Sequence, residues 1–168
     1  LHHLSKPRSS NCKMFSAGKG TAVKRYVMGN REDGVADILY EDDLEPHLAV
    51  NRLRELWKNT ETPAVQTIPG DPVADQMVVH EPPDGGAVFR MLVFPPRHQV
   101  SYRTPEEAIA FHHSINSTHV PSLEYLRTAK HLSMHRTDTL NYFVLTEGEV
   151  WSLSEDKDVL LKAGDVMI

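Results

Sequence analysis

The amino-acid sequence predicts an all-β, antiparallel sandwich or barrel interrupted by a short helical insertion. Residues 141–168 hold four short strand candidates at close, regular spacing with turn residues between them, which is the pattern of antiparallel all-β architectures. Residues 87–94 (AVFRMLVF) form an apolar, β-prone run closed by Pro95 and Pro96, and read as the best-buried strand of the first half. Between these two regions, residues 101–130 change to helical signals.

Taken in order, residues 1–13 (LHHLSKPRSSNCK) are polar and aperiodic and read as a disordered segment outside the domain, which would then run from Met14 to Ile168. Residues 22–28 (AVKRYVM) and 35–40 (VADILY) are strand candidates joined by the turn NREDG, so the domain opens with a hairpin. Residues 41–46 (EDDLEP) read as an acidic loop. Residues 48–57 fit either period, because Leu53, Leu56 and Trp57 suit a strand and a helix alike. Residues 60–72, with Pro63, Pro69, Gly70 and Pro72, are a connection, and 76–80 (QMVVH) a short strand.

Thr104, with Pro105 at the first helical position and Glu107 three residues on from the threonine, is a capping-box start for a helix to about His113; a second helix covers 122–128. This insertion carries His112, His113 and His119, with His98 just before it. It reads as a surface flap over one mouth of the barrel, with a substrate lid as the alternative. From Asn141 the two-residue period returns: Asn141, Phe143 and Leu145 share one face, Tyr142 and Val144 the other. Gly148 and Gly164 mark turns, and the run forms a meander. Val166, Met167 and Ile168 have strand character, so the domain is expected to continue past Ile168, leaving the barrel here incomplete.

Composition narrows the function. At 168 residues, 40% apolar and 24% charged, the chain suits one globular domain. Its 18 Lys and Arg against 23 Asp and Glu give a net charge of -5, which argues against nucleic-acid and anionic-membrane partners. Cys12 is the single cysteine, so no intrachain disulfide or thiolate cluster can form, in keeping with a cytoplasmic location. No apolar run nears the roughly 20 residues of a spanning helix. Gly18-Lys19-Gly20 lacks the spacing of a dinucleotide fingerprint, so no nucleotide cofactor is expected.

His135, Asn141 and Gly148, followed by Gly164-Asp165, track the two motifs of the cupin superfamily, small jelly-roll barrels that hold a metal or small molecule. The segment HRTDTLNYFVLTEGEVW resembles the group of cupins whose first motif reads H-R-T-x-[ST]-x-D-Y-x-V-V-L-x-G-E, preceded by a strand like VFRMLVFPP. The resemblance covers residues 23–168, is strongest over the last 35, and ends inside the second motif. It implies an antiparallel jelly-roll barrel. In the family a divalent metal (iron, manganese, nickel or zinc) is held by two His and a Glu of the first motif and a His of the second. Those first-motif positions fall here on His135, Thr137 and Asn141, so His135 alone is a good ligand and the metal site is incomplete without the rest of the second motif.

The resemblance further implies a protein of specialised metabolism, similar to cupin-domain oxidoreductases of aromatic polyketide (salicylaldehyde-type) pathways. His135 and Asn141 are the catalytic candidates, His135 as acid, base or ligand and Asn141 orienting it; Thr137, Phe143 and Leu145 are the substrate-binding ones. The partner would be a small molecule, with a homodimer through edge strands as the family precedent. A plainer reading makes His135 a buried strand-end histidine bonded to Asn141, with Thr137 a turn residue. Two alternatives to the enzyme follow, a non-catalytic binder of small apolar ligands and a truncated product without stable activity.

Overall fold

The computed structural model describes residues 22–47, 53–65, 70–75, 77–96, 99 and 102–168. Expectations for residues 1–13, for Gly18–Gly20, for the first part of 48–57 and for His98 lie outside them. The described chain is strand-rich with two short helices.

Strand β1 (Val23–Asn30) pairs antiparallel with β2 (Ala36–Leu44) through a turn that Gly34 makes possible at φ 79°, a conformation costly for any residue with a Cβ. The acidic residues 41–43, expected in a loop, are strand. Basic side chains across the ladder explain it: Lys24 pairs with Glu41, and Arg25, opposite Asp42 in register, holds that carboxylate through two nitrogens. Strand β3 (Arg54–Asn59) settles the ambiguous segment as strand where it is described, and it pairs with β4 (Ala87–Met91).

Residues 92–96 leave the β4 ladder, and the run expected to be well buried is not: Phe89 is 66% and Phe94 50% exposed. Among the described residues β4 has β3 as its one hydrogen-bonded neighbour. Residues 77–80, expected as a strand, lie outside any ladder. They are tied instead by His80 N–H to the Ile115 carbonyl at 2.8 Å and by Asn116 Nδ2 to the Val78 carbonyl at 3.1 Å.

Helix α1 (Pro105–Ser114) starts as the sequence predicts. Thr104 accepts from the Glu107 N–H while Glu107 reaches back to the Thr104 N–H, a reciprocal cap, with Pro105 at the start where its missing N–H costs nothing. Helix α2 (Leu123–Thr128) is capped by Ser122. Together they are more than a surface flap: Ala108, His112, Ile115 and Leu126 are buried, and Ile115 joins Leu53 and Val78, with Phe111 against them, in the central apolar cluster.

The last four strands are β5 (Phe143–Val144), β6 (Glu149–Ser152), β7 (Val159–Lys162) and β8 (Val166–Met167). Their pairing is nested rather than a simple meander: β6 pairs with β7 inside the pairing of β5 with β8. The 148 and 164 turns cause this. Gly164 N–H donates to the Leu145 carbonyl and Leu145 N–H to the Asp165 carbonyl, which brings the chain after β7 back to β5. All sheets among the described residues are two-stranded and none closes into a barrel, so the strand-rich class stands while the closed barrel is absent there.

Candidate functional site

Three imidazoles from three separate segments meet above the central apolar cluster. His80 comes from the unpaired strip 77–81, His112 from the last turn of α1, and His135 from the loop that precedes β5. Ring centres lie 4.9 Å apart for His80 and His135, 5.3 Å for His112 and His135, and 5.5 Å for His80 and His112. Their depth is graded, with His112 buried, His80 half-buried and His135 exposed.

The hydrogen bonds around the cluster fix its tautomers. His135 Nδ1 sits 2.8 Å from the Ser133 carbonyl, which can only accept, so Nδ1 carries a proton. The Ser117 hydroxyl donates to Glu81 Oε1 at 3.3 Å and has no second proton to give. It therefore accepts from His80 Nδ1 at 2.9 Å and, more weakly, from His112 Nδ1 at 3.4 Å. In each ring it is Nδ1 that makes these bonds.

Glu81 anchors this arrangement. Burial pushes its carboxyl up, but the N–H groups of Thr118 and His119 and the nearby His80 outweigh that and hold it at about 2, so it is a carboxylate. Burial, and then repulsion from His135 and His80, push the His112 imidazole down to about 4. Burial and His135 likewise lower His80. Both are neutral near pH 7. Such rings act as hydrogen-bond acceptors, weak bases or ligands rather than as a cationic pocket.

Beside the cluster stands an aromatic wall. Phe111 packs against Tyr102 with centres 5.4 Å apart and reaches His112 at 6.1 Å. Burial raises the Tyr102 phenol, and its hydrogen bond with Ser133 draws it partly back. Below, Arg90 binds the carbonyls of Val79 and His80 and the Glu55 carboxylate, holding the 77–81 strip in place.

Of the residues the sequence proposed, His135 is in the cluster. Thr137 and Asn141 are joined to each other through Thr139, Thr137 Oγ1 lying 2.7 Å from Thr139 Oγ1, which donates to Asn141 Oδ1 at 3.2 Å. Asn141 is thus not the partner of His135, whose Nδ1 is taken by Ser133, and His135 is exposed rather than buried. Phe143 packs on Phe94 at 6.1 Å, and Leu145 is held by its backbone at the 164 turn.

The divalent metal that the resemblance implies does not fit His135, Thr137 and Asn141. Two of the three positions offer neutral oxygens already engaged with Thr139, and only one is an imidazole. His80 and His112 were missed as site residues because no local spacing links them to His135; His112, on the buried side of a capped helix, was the one available signal. Among the described residues no helix is long and apolar enough to cross a membrane. Compared with protein-family models, with curated proteins and with solved structures, the chain has no significant match.

Proposed function

We propose that the chain is a small-molecule protein of the jelly-roll class, an accessory oxidoreductase-type enzyme for an aromatic or polyketide-like metabolite, with the His80–His112–His135 cluster as its working site. The observation that carries this reading is the convergence of three imidazoles beside the Tyr102–Phe111 wall. The wall offers an aromatic ring a stacking face, and a bare Nε2 accepts a phenolic proton or orients a carbonyl-bearing ring through its hydroxyl. His135, nearest to solvent, is the acid or base that meets the ligand first. Nested pairing of β6–β7 within β5–β8 supports the jelly-roll assignment, because such a barrel is wound from one long antiparallel hairpin.

Non-catalytic binding is the second reading. The Thr137–Thr139–Asn141 chain favours it, since it occupies the positions where the related enzymes place ligands. Salicylaldehyde titrated into the full chain, followed by imidazole proton NMR and by absorbance of the aldehyde, separates the readings. Saturable binding that shifts the His80, His112 and His135 signals is expected, weakened by His135→Ala. Aldehyde conversion that this variant abolishes marks an enzyme, and binding without conversion marks the binder. Absence of any shift in the three rings would sink the site assignment.

A further inference from the structure

We propose that Tyr102 is the specificity-determining residue of the site, its phenol oxygen held as an acceptor that selects aromatic ligands carrying a second hydroxyl donor, of the catechol and resorcinol class. The inference deepens the reading above and rests on it for the ligand's place on the Tyr102–Phe111 wall beside the imidazole cluster.

The role of the Tyr102 oxygen follows from the direction of the hydrogen bonds behind it. Met134 N–H donates to the His131 carbonyl at 3.0 Å, closing a turn that sets Ser133 against the His131 ring. The Ser133 N–H donates to His131 Nδ1 at 3.1 Å, and an N–H can only donate, so Nδ1 is an acceptor. The Ser133 hydroxyl, 2.6 Å from the same nitrogen, therefore gives its one proton to it. In its bond with Tyr102 the Ser133 oxygen is then left to accept, and the Tyr102 hydroxyl donates. Every proton points the same way, from phenol to serine to imidazole. What Tyr102 has left for a ligand is oxygen lone pairs.

Ser133 also ties Tyr102 to the cluster. Its side chain receives the Tyr102 hydroxyl and its carbonyl accepts from His135 Nδ1 at 2.8 Å, so one residue spans the wall and the exposed ring. A ligand ring with one hydroxyl satisfies either an imidazole nitrogen or the Tyr102 oxygen; two hydroxyls satisfy both. Burial raises the Tyr102 phenol and so keeps it neutral, with a single proton that Ser133 already takes. A site built to accept from a hydroxyl rejects a ligand that lacks it, because the half-buried oxygen loses water and gains no donor. A methyl ether at that position is the sharpest case, since it sets an acceptor against an acceptor.

Phenol, catechol, resorcinol and the mono-methyl ether of each diol are titrated into the full chain and followed by imidazole proton NMR. At least one diol should bind at least about tenfold more tightly than phenol and than its own mono-methyl ether. Tyr102→Phe, which keeps the stacking ring and removes the oxygen, should bring these ratios close to one. Ser133→Ala keeps the backbone carbonyl that holds His135 but releases the Tyr102 hydroxyl to donate, so the methyl ether should gain on the diol. His131 is read without ligand: its nitrogen shifts should show Nδ1 bare and Nε2 protonated. Wild-type ratios near one for both diols, ratios unchanged in either variant, or a His131 ring protonated at Nδ1 overturn the inference. If phenol still shifts the His80, His112 and His135 signals in that case, the site reading survives without it; if none of the ring compounds does, both fall.

Discussion

Single side chains hold this molecule together at points where ladders do not. Arg25 is 7% exposed and bonds Asp42, Asp71 and the Leu56 carbonyl, joining the first hairpin to β3 and to the 70–75 turn. Removing one partner of a buried ion group strands the other charges, so Arg25→Met should cost about 3 kcal/mol in urea unfolding. For Asp71, burial pushes the carboxyl up, but the Arg25 guanidinium and the Val73 N–H outweigh it and hold it below the usual carboxylate range. Its folded value is depressed, so its contribution is complete above the unfolded value of about 3.9 and is lost as the pH falls through the lower folded one. The urea midpoint should accordingly drop between pH 5 and pH 2, and Asp71→Asn should show a shallower drop over the same range. Glu81 is the corresponding anchor at the site: Glu81→Gln keeps one acceptor oxygen but loses the charge that three donors share, and a loss of about 1–3 kcal/mol is expected by the same measurement. None of these roles was legible in the sequence. An Arg in a strand or a Glu before a proline pair acquires its partners only when distant segments arrive.

Elements divide by whether their cause is local. Helix α1 was legible because Thr104, Pro105 and Glu107 carry their own start signal, and Ser122 does the same for α2. Thr104→Ala removes one half of that cap and should cost about 1 kcal/mol, visible as faster amide exchange in the first turn of α1. Since His112 rides on the last turn of the same helix, the variant also tests whether the site tolerates a frayed support. The first hairpin was legible from its NREDG turn, whereas its acidic extension was not, because Glu and Asp are poor strand formers unless cations stand across from them, as Lys24 and Arg25 do. The strip 77–81 misled for the opposite reason. QMVVH has strand composition, yet its carbonyls are taken by Arg90 and Asn116 and its His80 N–H by Ile115. Of the three rings in the candidate site, only His135 stood out in the sequence, by resemblance, while His80 and His112 needed the fold to bring them to it.

At the scale of the whole molecule, four two-stranded sheets leave apolar faces uncovered among the described residues. Tyr26, Met28, Phe89, Tyr142, Trp151 and Val166 are each more than half exposed. Apolar surface of that extent binds hydrophobic dyes, so anilinonaphthalene sulfonate fluorescence should rise strongly with the native chain and fall in a Phe89→Thr, Trp151→Ser double variant. Whole-barrel closure could not be read from alternation, since period two reports which face a residue takes and says nothing about what covers that face. One feature makes the molecule unusually easy to interrogate. Arg90 reaches from β4 across to the carbonyls of Val79 and His80 while gripping Glu55 on β3, so a single guanidinium spans the sheet and the rim of the imidazole cluster. It is a reporter already wired to the site: whatever occupies the three rings must tug the peptide of His80, and the Nε proton of Arg90 will register that pull from the far side of the strip.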